Sequence, residues 1–270
     1  MTILADKQIS ALCTGFHYVM KFIDLKNQKV SYTNYPNELD LVNKFVFISK
    51  NQMKEIISDL KEKFEVNKKN ASYTFNVSNP TTSVGLYTLS MVSNEMVVPY
   101  IGHSVKINDA GKRIPSFGQS SYGYDVRTAR NYKRLPIIEG ALAAFTDIVD
   151  TIDFVDQMEE VLDVDYIDIP PHGFVLGTTV EKFDLPHDTM VIFTGKSTLA
   201  RMGLSIFCTP AEPGWSGYIT TEIFNATPRT VRLHSGIGLM QAIFFKGSEH
   251  CEVNYSDRGG KYNNQIAMPV

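Results

Sequence analysis

Hydrophobic and polar positions alternate with a period of two along much of this 270-residue chain. Between about residues 15 and 93, segments such as "KVSYTNY", "KFVFIS" and "SYTFNVS" read as strands on that spacing. One stretch breaks the alternation. In "SKNQMKEIISDLKEKF", Met53, Ile56, Ile57, Leu60 and Phe64 fall on one face at helical spacing, which predicts an amphipathic helix packed on a small sheet. Ser49, with Gln52 three residues later, carries the capping-box signature for its start. A shorter helix is expected over residues 5–12.

From about Met96 onward the pattern is β almost throughout. The runs "IPPHGFVLGTTVEKFDLP", "TMVIFTG", "SIFCTP", "YITTEIFNAT", "TVRLHSG" and "IGLMQAIFF" are short and separated by Pro and Gly. Regular short strands with turns between them suggest a barrel or jelly-roll, not a βαβ sheet. The acidic piece "DFVDQMEEVLDVDYIDIP" is expected to be a solvated loop or helix edge. No internal repeat or low-complexity tract interrupts the chain.

Composition narrows the function classes. Apolar residues make up 43% and charged residues 20%, as in ordinary globular proteins. A formal net charge of −3 gives no basic field for a nucleic-acid polymer. Cys13, Cys208 and Cys251 are too few and too scattered for a disulfide framework, which fits a reducing compartment. No apolar run approaches the roughly 20 residues that span a bilayer. The first residues, "MTILADKQIS", lack a signal-peptide layout. The expected location is therefore cytoplasmic, with no membrane partner.

The stretch "TGKSTLARMGL", residues 194–204, invites a P-loop reading. A Walker loop needs a glycine five positions before Gly195, because that glycine permits the tight curl around the phosphates. Met190 stands there, followed by Val191, Ile192 and Phe193, which read as a strand. The P-loop reading fails. A zinc deaminase reading starts from His250, Cys251 and Glu252 but lacks the Pro-Cys-x-x-Cys that completes the metal shell. His250 and Cys251 are expected to be ordinary strand residues.

"GKSTLARMGL" is followed by "TPAEPGWSGYITTEIFN", "GIGLMQAIFF" and "YSDRGGKYNNQ", and preceded by "SSYGYDVR". In this order and spacing the motifs closely resemble dCTP deaminase, a member of the trimeric dUTPase superfamily. The resemblance covers about residue 96 to the C-terminus, with "LADKQIS" similar to the family's first helix. It implies a mainly-β protein with a dUTPase-like distorted β-barrel or jelly-roll core and a small inserted α+β subdomain. Residues 1–13 are then the first helix of the core, 14–94 the insertion, and 95–270 the core with a mobile C-terminal tail. Insertions at surface loops cost little closure entropy, so a core can accept one.

The resemblance also implies roles. Glu222, in "TTEIFN", is the general base and acid that activates water and returns protons to N3 and to the leaving amine. Alternation puts Thr220, Glu222 and Phe224 on one face of the strand, and Thr221, Ile223 and Asn225 on the other. Ser197 helps hold the attacking water, and Arg201, four residues on, lies beside the base and phosphates. Lys196 and Thr198 face the triphosphate; Lys196 stands where the family often has Arg, so it supplies a point charge instead of a fork. Glu212 receives the deoxyribose 3′-hydroxyl. Trp215, the only tryptophan, is either a substrate contact or core. The loop "CTPAEPGW" is two residues shorter than the "TAHRIDPGW" form of some members, and the water-holding carbonyl lies near Thr209. Tyr255, Lys261 and Gln265 match phosphate-binding positions in the tail. Gln241 is expected to support structure or the subunit interface, and Asp125 and Arg127 to be structural ion-pair partners.

The implied reaction is hydrolysis of dCTP to dUTP and ammonia without zinc, supplying precursor for dTTP synthesis. Mg²⁺ accompanies the triphosphate and is held by it, with no protein side chain as ligand. The implied assembly is a homotrimer with shared sites, feedback-inhibited by dTTP, in a bacterial cell or a virus-infected host cell. Two rivals remain open: a bifunctional enzyme that also cleaves dUTP to dUMP and diphosphate, and a dNTP-sensing protein without catalysis. A lost catalytic carboxylate would mark the sensor, and Glu222 is present.

Overall fold

Strands form nearly everywhere the chain alternates. The computed structural model describes residues 1–14, 16–24, 29–35, 50–67, 70–79, 83–93, 95–135, 155 and 157–269. In chain order the elements are β1 (Thr2–Ile3), α1 (Asp6–Thr14), β2 (Phe16–Asp24), β3 (Lys29–Tyr35), α2 (Lys50–Asn67), β4 (Asn70–Asn79), β5 (Ser83–Ser93), β6 (Val97–Val98), β7 (Val105–Ile107), β8 (Arg113–Ser120), β9 (Gly123–Arg134) and β10 (Glu159–Val161). There follow β11 (Tyr166–Ile169), β12 (Phe174–Asp184), β13 (Thr189–Gly195), α3 (Ser197–Arg201), β14 (Leu204–Phe207), β15 (Ser216–Asn225), β16 (Val231–His234) and β17 (Gly238–Lys246). None of the described helices is long and apolar enough to cross a membrane.

The chain divides into two compact units, Ala11–Glu95 and the discontinuous pair Met1–Ser10 with Met96–Val270. In the first, an antiparallel sheet runs in the order β3-β2-β5-β4. α2 packs on β4 and β5. Its Ile57 and Leu60 are buried, as is Leu89 of β5, so the helix turns its apolar stripe inward as the spacing requires. Ser49, the segment "KFVFIS" and the side chains of Met53 and Phe64 lie outside the described residues.

The second unit is mainly β, a curled antiparallel sheet whose central path is β1-β17-β9-β12-β15-β14. β6, β8, β10 and β13 extend it, and β11 and β16 form a separate two-stranded ladder. One apolar cluster gathers Tyr132, Ile167, Val175, Leu199, Ile223 and Leu239. In another part of the unit the rings of Phe183 and Phe193 meet edge to face at 5.5 Å, with Phe244 tilted against Phe183. Burying each such side chain contributes about 1.5–3 kcal/mol, which sets the register of the strands that carry them.

Two expectations change. The described part of the acidic piece is not a loop or helix edge but supplies β10 and β11. Ile167 and Ile169 alternate inward, while Glu159, Asp163, Asp165 and Asp168 remain at the surface, paired with Arg134, Arg130 and Arg232. His250 and Cys251 are not in a strand: β17 ends at Lys246, and both lie exposed in the irregular segment beyond it. Asp125 and Arg127, both on β9, do form ion pairs, each with a residue of another element. Arg127 Nε reaches Glu181 Oε1 at 2.7 Å, and Lys196 Nζ reaches Asp125 Oδ2 at 2.6 Å.

Candidate functional site

β15 carries the central residue. Its odd-numbered positions, Gly217 to Asn225, are buried, and its even-numbered ones are partly exposed, so Thr220, Glu222 and Phe224 share the open face. Glu222 lies opposite Leu176 of β12 and Phe207 of β14 in the two ladders. Directly opposed residues project to the same face, so the carboxylate sits between two apolar neighbours. Burial pushes the Glu222 carboxyl above the usual range, opposed by a hydrogen bond from its own backbone N–H.

A cleft of about 440 Å³ opens over this face. Thr209, Glu212, Trp215, Glu222, Tyr255 and Gln265, six of the sequence-predicted residues, line it. The volume is within the range of small-molecule sites. One wall is the loop between β14 and β15. Val191 and Ala211 exchange two backbone hydrogen bonds of 2.9 Å, and Trp215 N donates to Glu212 O, which tightens the loop into a turn. Gly214 sits at φ +76° in that turn, and a Cβ there would fall 2.8 Å from Asn254 Oδ1. Glycine is required on both counts.

The tail forms the other wall. Tyr218 N donates to Gln265 O and Asn264 N to Ser216 O, so the tail runs beside the start of β15. The Gln265 amide donates to the Thr220 hydroxyl within the cleft. Trp215 is buried, and its indole N–H donates to Tyr262 O at 2.9 Å. The ring thus belongs to the core and to the cleft wall at once. The Arg258 guanidinium pairs with the Glu212 carboxylate.

The remaining predicted residues lie elsewhere on the chain. Ser197, Thr198 and Arg201 are exposed on α3, which is pinned by the buried Leu199. None of them lines the cleft of its own chain. Lys196, the N-cap of α3, is mostly buried, with its ammonium on Asp125. Lys261 is exposed, its Nζ 5.0 Å over the Tyr262 ring. Gln241 donates to Ser120 Oγ at 3.1 Å, a bond between β17 and β8. Among the described residues no group of three or more His, Cys, Asp or Glu is placed to hold a metal ion.

Sequence reasoning missed Cys208, Arg258 and Tyr262 as parts of this region. Cys208 lines the cleft, and burial, with the Glu222 charge beside it, pushes its thiol up. It is a neutral S–H next to the carboxylate, not a nucleophile. Cys208 comes to the cleft because it directly follows Phe207, the ladder partner of Glu222, a pairing that only the fold makes. Arg258 and Tyr262 carried no signal, because only the fold-back of the tail brings them to β15.

A family model described as dCTP deaminase-like matches residues 103–247. A dCTP deaminase of Xanthomonas euvesicatoria pv. vesicatoria is 43% identical over 184 residues, covering 65% of this chain and 89% of that protein. A dCTP deaminase of Francisella tularensis subsp. novicida is 41% identical over 177 residues, covering 66% of this chain and 90% of that one. The crystal structure of 2′-deoxycytidine 5′-triphosphate deaminase from Agrobacterium tumefaciens superposes with a TM-score of 0.37 at 17% identity, over 56% of this chain and 44% of that chain.

Proposed function

The chain belongs to the dCTP deaminase-like family, and on that premise we propose that it hydrolyses dCTP to dUTP and ammonia with Glu222 as the proton shuttle. The observation that carries the reading is a half-buried carboxylate, raised by its apolar neighbours, facing a cleft of nucleotide size. A carboxyl raised in this way holds a proton more readily than a free carboxylate, which suits a group that takes one up and hands it on within a turnover. Glu222 takes a proton from water as its oxygen attacks C4 of cytosine, and delivers it to N3. The second proton of that water then passes through Glu222 to the amine, which leaves as ammonia. Oxygen replaces nitrogen at C4, with no change in oxidation state.

Glu212 and Trp215 border the sugar, with Glu212 accepting from the 3′-hydroxyl once Arg258 turns to the phosphates. Tyr255, Lys261 and Gln265 hold the triphosphate, which enters with its own Mg²⁺ on phosphate oxygens. The product analogue dTTP competes for the same cleft. Residues 14–94 are read as an insertion, consistent with a family match confined to later residues.

The first test follows every nucleotide product of dCTP with Mg²⁺ by chromatography. Accumulation of dUTP and ammonia is expected. Release of dUMP and diphosphate would make the enzyme bifunctional, and intact but bound dCTP would replace catalysis by nucleotide sensing.

We infer a homotrimer in which Ser197, Thr198 and Arg201 complete the cleft of a neighbouring subunit. Their exposure on α3, away from their own cleft, supports this, as do two exposed apolar side chains, Met202 directly after Arg201 in the chain and Phe207 opposite Glu222 on β14 (50% and 59%). Arg201→Ala and Glu222→Gln proteins, each inactive alone, are expected to regain activity when unfolded and refolded together. Mixed trimers contain some sites with both residues intact; no recovery despite mixed assembly would place Arg201 and Glu222 in the same subunit's site.

A further inference from the structure

We propose that Lys196 is a positioning residue of the deaminase site, anchoring the Ser197–Arg201 helix through Asp125 instead of binding the triphosphate. The inference rests on the deaminase reading above for its catalytic consequence, and on geometry for the anchor itself. Lys196 Nζ lies 2.6 Å from Asp125 Oδ2 and donates to Ser116 Oγ at 3.1 Å. Ser116 Oγ donates in turn to the same Asp125 oxygen at 3.0 Å. The three groups close a triangle across β8, β9 and the junction of β13 with α3. The Lys196 and Asp125 side chains are only 13% and 9% exposed.

Reaching a phosphate would require this ammonium to leave a nearly buried carboxylate unpaired. Such a separation is among the most unfavourable changes a folded protein can make. Two of the three ammonium protons already have acceptors in the triangle. The anchor has an evident task. α3 has five residues, its N-cap side chain makes no capping bond, and a helix of one turn has little stability of its own. Lys196 O accepts from Leu199 N at 3.0 Å and Ala200 N at 3.1 Å, so the residue that opens the helix is the one tied to Asp125. Leu199, in the core, holds the other side. Between these two fixings, Ser197 and Arg201 are aimed outward. Their direction depends on where Lys196 is held.

The test is a double-mutant cycle of Asp125→Asn and Lys196→Met, with Lys196→Arg as the charge-conserving variant. Each protein is checked by thermal melting, by kcat and KM for dCTP, and by hydrogen exchange. Either single substitution is expected to lower kcat roughly tenfold to hundredfold, the cost of a misplaced catalytic group, while KM stays within a few-fold. The double variant is expected to be no worse than the poorer single, because both remove one interaction. Lys196→Arg keeps most of the turnover. Exchange of the Leu199, Ala200, Met202 and Gly203 amides accelerates in both singles, while the Val191 and Ala211 amides stay slow.

A raised KM with unchanged kcat in Lys196→Met, and no effect of Asp125→Asn, would overturn the proposal and make Lys196 a phosphate ligand. Unchanged exchange in α3 would overturn the anchor whatever the kinetics. If the unaltered protein releases no ammonia from dCTP, the deaminase reading fails, and exchange still decides whether Asp125 holds the helix.

Discussion

Glu222→Gln is expected to lower dCTP deamination by about 10²–10⁴, the usual contribution of a positioned acid–base group. Glutamine keeps the volume and the hydrogen-bonding reach of the side chain but accepts no proton from water, so dCTP affinity should change only a few-fold. Ammonia release and equilibrium binding, measured together, check both halves; loss of binding along with turnover would make Glu222 a binding group. The same substitution should stabilise the fold. The Glu222 carboxyl is raised by burial, so over a window above the usual carboxylate range the folded chain keeps a proton that the unfolded chain has lost. The stability linked to that proton is fully present below the unfolded pKa and is lost as pH rises through the folded one. Glutamine has no charge to bury. The variant's Tm is therefore expected to exceed that of the unaltered protein at pH 8, with the gap closing as pH falls toward the carboxylate range. A lower Tm at pH 8 would mean that partners, not burial, dominate the carboxylate. Turnover of the unaltered enzyme should show the matching acid limb, falling as pH drops through the raised value. Opposite effects on rate and stability are what an active-site charge held among apolar neighbours should give.

Glu181→Ala should destabilise the protein by about 3–5 kcal/mol, because it leaves a mostly buried guanidinium unpaired. Glu181 is wholly buried. It accepts from Arg127 Nε at 2.7 Å and from Arg127 N at 2.9 Å, and the Arg127 guanidinium also lies over the Phe117 ring. The pair ties β9 to β12 just past their last ladder pair, Thr179 with Thr128. Urea denaturation at fixed protein concentration reads the effect, which keeps any dependence on assembly constant. Glu181→Gln retains the acceptor and should lose less. A loss below about 1 kcal/mol in Glu181→Ala would show that the pair does little more than a surface ion pair.

Local rules were enough for much of this protein. Short apolar runs bounded by Pro and Gly located β12, β13, β15 and β17, and the period near 3.6 located α2, because a turn must interrupt each strand and a half-buried helix must put its apolar residues on one side. Alternation put Glu222 with Thr220 and Phe224 on one face of its strand, and the structure leaves that face open. Motif order supplied the family, and with it six residues that the cleft does bring together. What stayed hidden was every relation made by return of the chain. The acidic stretch read as a loop because its charges outnumber Ile167 and Ile169, although only the latter decide its pairing with β16. Asp125 and Arg127 stand two residues apart, yet their partners are 71 and 54 positions away along the chain. Cys208, Arg258 and Tyr262 acquire their places only when β14 and the tail close on β15. Sequence by itself determined which residues of the elements it revealed share a side, since that depends on neighbours two to four positions away. Only the tertiary structure decided which charges meet, because a buried ion pair is set by where strands cross and by how little water is left between them.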